Sequence, residues 1–290
     1  MICAQLIGGL GNQMFQYACG RALALRTGHE LVLDARTFAQ QGQNTPRHYG
    51  LDVFTLAARV ATPADLAENI SWLNRFKHKL GLRAPSALQT IREPHFHFAP
   101  DLFPAQFQRL ALAGYWQSEK YFSDHAAAIR QDFTLRPERA ARLDAALLER
   151  MQATHSVSLH IRRGDYVANA ATHQYHGVCS LDYYRHAAAQ LAEQLRAPEF
   201  FVFTDDPAWA RENLQLDFPQ HLVSDGRWQD FEELTLMSRC HHHIIANSSF
   251  SWWGAWLNPR PDKIVCAPKV WFQNSPNDTR DLVPAAWRRC

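Results

Sequence analysis

Short apolar runs alternate with helix-patterned segments along this chain, and they do so in two successive series. In the first, Ile2 to Ile7 reads as a buried strand, GGLGN as a loop, residues 13–26 as a helix and residues 30–33 as a second strand. Phe15, Ala18, Ala22 and Leu25 fall near helical spacing, and Gly28 is placed to stop that helix. RLALAGYWQ (109–117) is a third strand. Residues 37–60 read as loop, and Thr62 followed by Pro63 opens a helix expected to reach about residue 80. Further helices are expected over 119–131 and 137–152. The second series starts at Ser156. SVSLHI, FFVFT, HLVS, HHIIA and KIVCA read as strands, and 181–196, PAWARENL, 229–240 and SSFSWWGAWLN as helices between them. Strands that alternate with helices imply parallel sheets covered on their faces. The expectation is an α/β chain of two Rossmann-like domains, 1–152 and 153–290.

Composition supports this and narrows the function. A chain of 290 residues, 47% hydrophobic and 20% charged, has enough apolar material for buried cores and too little charge for disorder. A formal charge of +2 argues against a broad basic face for nucleic acid, so any anion chemistry must be local. The six cysteines (Cys3, Cys19, Cys179, Cys240, Cys266 and Cys290) form no C-x-x-C pair and read as reduced thiols. MICAQLIGGLGNQ lacks the basic start and cleavage site of a signal peptide, and no run of about 18 apolar residues exists. A cytoplasmic protein, associated with a membrane at most loosely through surface helices, is expected.

SLHIRRGDY (158–166) asks what two adjacent arginines do at the end of a strand. In a strand, Val157, Leu159 and Ile161 share one face and Ser158, His160 and Arg162 the other. Continuing the strand would bury Arg163 with the apolar set, at high cost. The strand must therefore end at Ile161 or Arg162, with Gly164 allowing the turn. That puts both guanidiniums at the carboxyl end of a parallel strand, where open α/β sheets bind ligands. Guanidinium suits a bidentate grip on phosphate. Asp165 could hold an arginine or touch substrate. An ordinary surface Arg–Asp pair would fit the same spacing, but two further strand ends add to the pattern. FTDD brings Asp205 and Asp206, which could equally cap a helix before Pro207. NSSFS (247–251) opens a helix, with hydroxyls and N–H groups suited to an anion. Arginines, carboxylates and a helix N-terminus together make a pocket for a nucleoside diphosphate.

GGLGNQM (8–14), with Gly9 and Gly11 in a G-x-G after a strand and Asp34 about 20 residues on, also fits a weak dinucleotide fingerprint. Met14 stands where its third glycine belongs, and Asn12 and Gln13 bring polar side chains to the loop. A nucleotide-dependent oxidoreductase would leave HIRRGDY and NSSFSWW without a role. A sugar-nucleotide-binding protein without catalysis is the other alternative.

GGLGNQMFQYACGRALA, GYWQSEKYF, LHIRRGDY, FTDD and NSSFSWWGAWLN, in this order, resemble the bacterial α1,2-fucosyltransferases. The likeness runs from residue 6 to about residue 272. It implies a GT-B-like fold with two facing Rossmann-like domains: the N-terminal one on the acceptor side, the C-terminal one holding GDP-β-L-fucose. It implies inverting transfer to the 2-hydroxyl of a terminal β-galactoside, with no metal or other cofactor. It also implies roles. Arg163 grips the β-phosphate with Arg162 beside it, and His160, Asp205 and Asp206 lie by the nucleotide. Ser248, Ser249 and Phe250, after Asn247, line the phosphates. Glu233 falls where a relative reads guanine, and Asn12 where a related G-x-x-G-N-Q loop faces the reaction centre. Asp165 either takes the acceptor proton or only orients the arginines, and Asn12 could align the acceptor instead.

Cys240-His241-His242-His243 looks like a metal site, but only His241 and His243 would share a strand face and no third ligand is evident. Trp252, Trp253 and Trp256 read as packing. Trp116 and Trp228 are possible acceptor or base contacts. His95 and His97 share one face of an extended run, either at the acceptor or simply at the surface.

Overall fold

Both series fold as parallel sheets. The computed structural model describes residues 1–39, 47–66, 88–164, 167 and 174–290. In the first sheet, β1 (Ile2–Gln5), β2 (Leu31–Asp34), β3 (Arg59–Val60), β4 (Gln89–Arg92) and β5 (Leu110–Ala113) lie in the order β3-β2-β1-β5-β4. All neighbours are parallel. Helix α1 (Leu10–Thr27) follows β1 and packs on the sheet. Gly20 permits that approach: a Cβ there would stand 2.9 Å from Leu31 and 3.3 Å from Ala4. Gly28 ends α1 in the left-handed region at φ 69°, as the sequence predicts.

Several boundaries differ from expectation. Helix α1 starts at Leu10, because Gly9 takes the N-cap position and the Asn12 and Gln13 N–H groups both bond its carbonyl. The GLGN segment is thus the first helical turn and not a loop. The 119–131 helix splits into 3₁₀ turns Glu119–Tyr121 and Ser123–His125, then α2 (Ala126–Asp132). The 137–152 helix is interrupted, and Asp144 restarts it as α3 (Ala145–Ala153) by accepting from the Ala146 and Leu147 N–H groups. Strands β3 and β4 escaped the sequence reading. Arg59 and Val60 are exposed, and β4 is mostly exposed, so neither carries an apolar pattern. Thr62 and Asp65 form a turn, and most of the helix expected to follow lies outside the described residues.

The second sheet contains β6 (His155–Ile161), β7 (Pro198–Thr204), β8 (Gln220–Leu222), β9 (His242–Ile244), β10 (Val265–Ala267) and β11 (Arg288–Arg289). They are all parallel, in the order β11-β10-β9-β6-β7-β8. Helices α4 (Leu181–Ala192), α5 (Pro207–Asn213), α6 (Asp230–Arg239) and α7 (Ser249–Leu257) connect them. Val157, Leu159, Ile161, Phe200 and Val202 pack with Tyr184 and Leu191 in one cluster, and Phe201 and Phe203 with Leu236, Met237 and Met151 in another. Burial on both faces explains why β7 reads as an unbroken apolar run.

The chain divides into one unit of Met1–Thr134 with Arg280–Leu282 and another of Leu135–Thr279 with Val283–Cys290. The division falls before α3, where the sequence placed it after residue 152. The reason is packing: Met151, Leu147 and Leu148 of α3 join the core of the second sheet. An amphipathic pattern shows that a helix is half-buried, but not which sheet buries it.

The histidine run laces the second sheet together. His243 is fully buried, with Nε2 2.9 Å from Asn258 Nδ2 and Nδ1 2.8 Å from Ser158 Oγ. The amide nitrogen donates, so Nε2 accepts and Nδ1–H serves Ser158. Burial, with Lys263 nearby, holds this imidazole neutral. His242 Nδ1 accepts from the Ile264 N–H, and His241 Nδ1 meets Ser156 Oγ at 3.1 Å. No group of three or more His, Cys, Asp or Glu suited to a metal ion occurs among the described residues.

Candidate active site

The ends of β6 and β7 bring the arginine pair against the two aspartates. Arg162 Nη1 lies 2.9 Å from Asp205 Oδ2, and Asp205 Oδ1 accepts from the Arg163 N–H at 2.8 Å. Asp205 therefore ties down one guanidinium and the backbone of the next residue. Gly164 leaves it room, since a Cβ there would fall 2.6 Å from Asp205 Oδ2. Asp206 does two things at once. Its Oδ1 caps α5 by accepting from the Trp209 N–H at 3.1 Å, and its Oδ2 lies 3.4 Å from Arg163 Nε. The face of the Arg163 guanidinium stacks on Trp209, with Cζ 3.8 Å from the ring centroid. Asp165 lies outside the described residues.

Glu233, on α6, is held close by. Ser224 Oγ accepts from the Thr204 N–H at 2.9 Å, which leaves its proton for Glu233. Burial, reinforced by the charges of Asp230, Asp225 and Asp205, outweighs that hydrogen bond and pushes the Glu233 carboxyl up to about 7. His160 is buried, and desolvation, aided by Arg162, pushes it down to about 3, so it is neutral at physiological pH. Its Nδ1 has no hydrogen-bond partner among the described residues. An orphaned polar atom beside an arginine pair is the kind of exception that binding sites tolerate.

The helix N-terminus is more occupied than its sequence suggests. Ser248 Oγ caps α7 by accepting from the Phe250 N–H at 3.3 Å. Ser249 and Phe250 are partly exposed, and the Phe250 ring lies 5.6 Å from that of His160. Asn247 points into the fold: its amide nitrogen is shared among the His176, Gly177 and Trp271 carbonyls at 3.0 to 3.3 Å. It fastens two loops and has no amide donor left for a phosphate. Trp252, Trp253 and Trp256 are buried, as their pattern suggests.

A second polar cluster sits at the carboxyl ends of β1, β4 and β5 in the first sheet. Gln117 Nε2 donates to Asn12 Oδ1 at 2.8 Å. Gln13 was expected at a loop tip but is buried. Its amide donates to the Gly8 and His48 carbonyls and accepts from the Gly50 N–H, at 2.9 to 3.1 Å. Gln16 does the same for Ile7 and Gly114. Gly9 and Gly11 belong to the start of α1. Glu93 Oε2 and Oε1 accept from the N–H groups of Tyr115 and Trp116 at 2.7 and 3.0 Å, and burial pushes its carboxyl up to about 7. These bonds hold Trp116 at φ 58°, an uncommon value for a non-glycine residue. Trp116 is fully buried, which makes it packing and not a sugar contact. The His95 and His97 rings stack with centroids 3.5 Å apart.

The sequence reading missed Trp209, Ser224 and Glu93. Trp209 had a signal in the PAW triplet after FTDD, because the third residue of a capped turn folds back toward its cap. Ser224 and Glu93 had none.

Residues 96–288 match the model of the family described as Glycosyl transferase family 11. The chain belongs to that family. It is a glycosyltransferase, 33% identical over its whole length, and over 98% of the other protein, to an Escherichia coli α-1,2-colitosyltransferase. It is 26% identical to the galactoside α-(1,2)-fucosyltransferase 2 of Rattus norvegicus, covering 89% of this chain and 67% of that protein. Its fold matches a mutant of Arabidopsis thaliana FUT1 in complex with GDP, with a TM-score of 0.52 over 93% of this chain and 71% of that one at 13% identity. The two parallel sheets are thus those of a GT-B-like α/β fold, and family 11 membership sets the redox reading of the glycine loop aside.

Proposed function

We propose that this family 11 enzyme transfers L-fucose from GDP-β-L-fucose to the 2-hydroxyl of a terminal β-galactoside, with inversion, in surface polysaccharide or oligosaccharide synthesis. The observation that carries the donor half is the arginine pair mounted on Asp205, Asp206 and Trp209 at the carboxyl end of β6. As the bond from fucose C1 to the diphosphate breaks, the sugar gains oxocarbenium character and negative charge grows on the β-phosphate. A cation already held there stabilises the transition state more than the ground state. Arg163 takes this role, with Arg162 beside it. Two guanidiniums can offset the diphosphate charge without a divalent cation, so the reaction proceeds in EDTA.

Glu233 reads the guanine, and Ser248, Ser249 and Phe250 border the phosphates. The N-terminal unit serves the acceptor, with Asn12 aligning its hydroxyl. The acceptor proton goes to Asp165 or, late in the transfer, to a phosphate oxygen. Among the described residues no helix is long and apolar enough to cross a membrane.

The α1,2 linkage has support in the relatives, one of which transfers colitosyl and another fucosyl. Colitosyl transfer is therefore the second reading; colitose lacks only the 3-hydroxyl of L-fucose. The test is to offer both GDP-sugars with a panel of β-galactosides in EDTA and to read the product linkage by NMR. An α1,2-fucosyl galactoside supports the first reading. Turnover of the colitosyl donor alone transfers the proposal to that sugar, and no turnover of either overturns both.

A further inference from the structure

Arg162 and Arg163 are adjacent, yet the fold holds them by opposite means. Arg162 is paired with a carboxylate at 2.9 Å. That contact takes up one of its donors and offsets part of its charge. Among the described residues, Arg163 meets a carboxylate through Nε alone, that of Asp206 at a long 3.4 Å. Its guanidinium is held through the face, by the Trp209 ring at 3.8 Å. No hydrogen bond joins its terminal nitrogens to another described residue.

The difference matters because a guanidinium is planar, with all its N–H groups in the plane. Stacking attracts the cation through the ring quadrupole and uses none of those donors. The in-plane edge stays available for an anion. A carboxylate at the same place would compete with the phosphate for the same N–H groups and cancel the charge that the transition state needs.

Trp209 is itself firmly placed. Its backbone N–H is capped by Asp206, the residue that touches Arg163 Nε. Its carbonyl accepts from Asn213 Nδ2 at 2.9 Å. It packs against the core cluster that contains Ile161, Ala210 and Leu214.

We propose that Trp209 is the positioning residue for Arg163: an aromatic shelf that fixes the guanidinium plane while leaving its charge and its terminal N–H groups for the leaving diphosphate. This rests on the reading of Arg163 as the cation that meets that group, and the experiment separates the two claims.

The test is a double-mutant cycle on Trp209→Leu and Arg163→Ala, with Trp209→Phe as the conservative variant. Initial transfer rate, GDP affinity by calorimetry and thermal midpoint are measured for each. Leu and Phe both fill apolar volume, but only Phe offers a ring face. Trp209→Leu is expected to lower kcat about tenfold, with the KM for the acceptor unchanged, and Trp209→Phe to restore most of the loss. In the Arg163→Ala background, Trp209→Leu should add nothing to the loss, because the group it positions is gone. If the double variant is too slow to assay, the same non-additivity is read in GDP affinity. Equal defects in the Leu and Phe variants, or additive losses in either readout, overturn the shelf and leave Trp209 as packing alone. An Arg163→Ala enzyme with normal rate and normal GDP affinity overturns the reading of the arginine itself.

Discussion

The affinity for GDP-fucose should depend on pH through one group, Glu233. Its carboxyl is pushed up to about 7 by burial and by the charges of Asp230, Asp225 and Asp205. Guanine offers N–H donors on the edge this residue would read, and a carboxylate accepts them only when ionised. Binding therefore selects the ionised form. At about pH 6 roughly a tenth of the free enzyme carries that charge, and at about pH 8 roughly nine tenths. The affinity should rise about ninefold between them, about 1.3 kcal/mol. Few other groups can imitate this. His160 is held down at about 3, so it stays neutral throughout. GDP-fucose, unlike GDP, has no terminal phosphate proton near neutral pH. Calorimetry in two buffers of different ionisation heat should find close to one proton released per ligand at the lower pH. Glu233→Gln should flatten the profile and weaken binding at the higher pH by about 1.5–3 kcal/mol, the range for a hydrogen bond to a charged group. A flat wild-type profile, or a Gln variant that binds normally, would refute the guanine-reading role.

Two further outcomes follow from local geometry. Gly164→Ala places a methyl 2.6 Å from Asp205 Oδ2, so Asp205 must leave Arg162 and the Arg163 N–H; GDP affinity should fall about tenfold or more with little change in thermal midpoint. Glu93 has its carboxyl raised from 4.5 to about 7 in the fold, so its ionisation opposes folding. That contribution is absent below the unfolded value, grows as pH rises through about 7 and is complete above it, to the order of 3 kcal/mol. Glu233 adds a slope of the same sign, so the informative quantity is the wild-type profile minus that of Glu93→Gln. This difference should vanish if Glu93 is not buried as described.

The sequence was most informative where burial is one- or two-sided and periodic. β1, β2, β6 and β7 stand close to where their apolar runs lie, and Gly28 stops α1 through a backbone angle that glycine adopts freely. The arginine pair was legible because no strand could continue through Arg163. Partner choice was not. Nothing in HIRRGDY shows that Asp205 takes one arginine while Trp209 takes the other, since both partners lie more than 40 residues away. Asn247 and Gln13 show the opposite failure. An amide in a motif looks like a ligand contact, but both amides are fully used in fastening loops. The edge strands β3 and β4 are exposed and carry no apolar signature.

The central claim is that Arg163 stabilises the charge on the departing diphosphate. The most direct measurement is the fucosyl transfer rate of Arg163→Ala at saturating donor, beside its thermal midpoint. The expected result is a loss of a hundredfold or more, about 3 kcal/mol of barrier by analogy with removal of an oxyanion donor, in a protein that still folds. A folded variant that transfers fucose at a near-wild-type rate would contradict the claim.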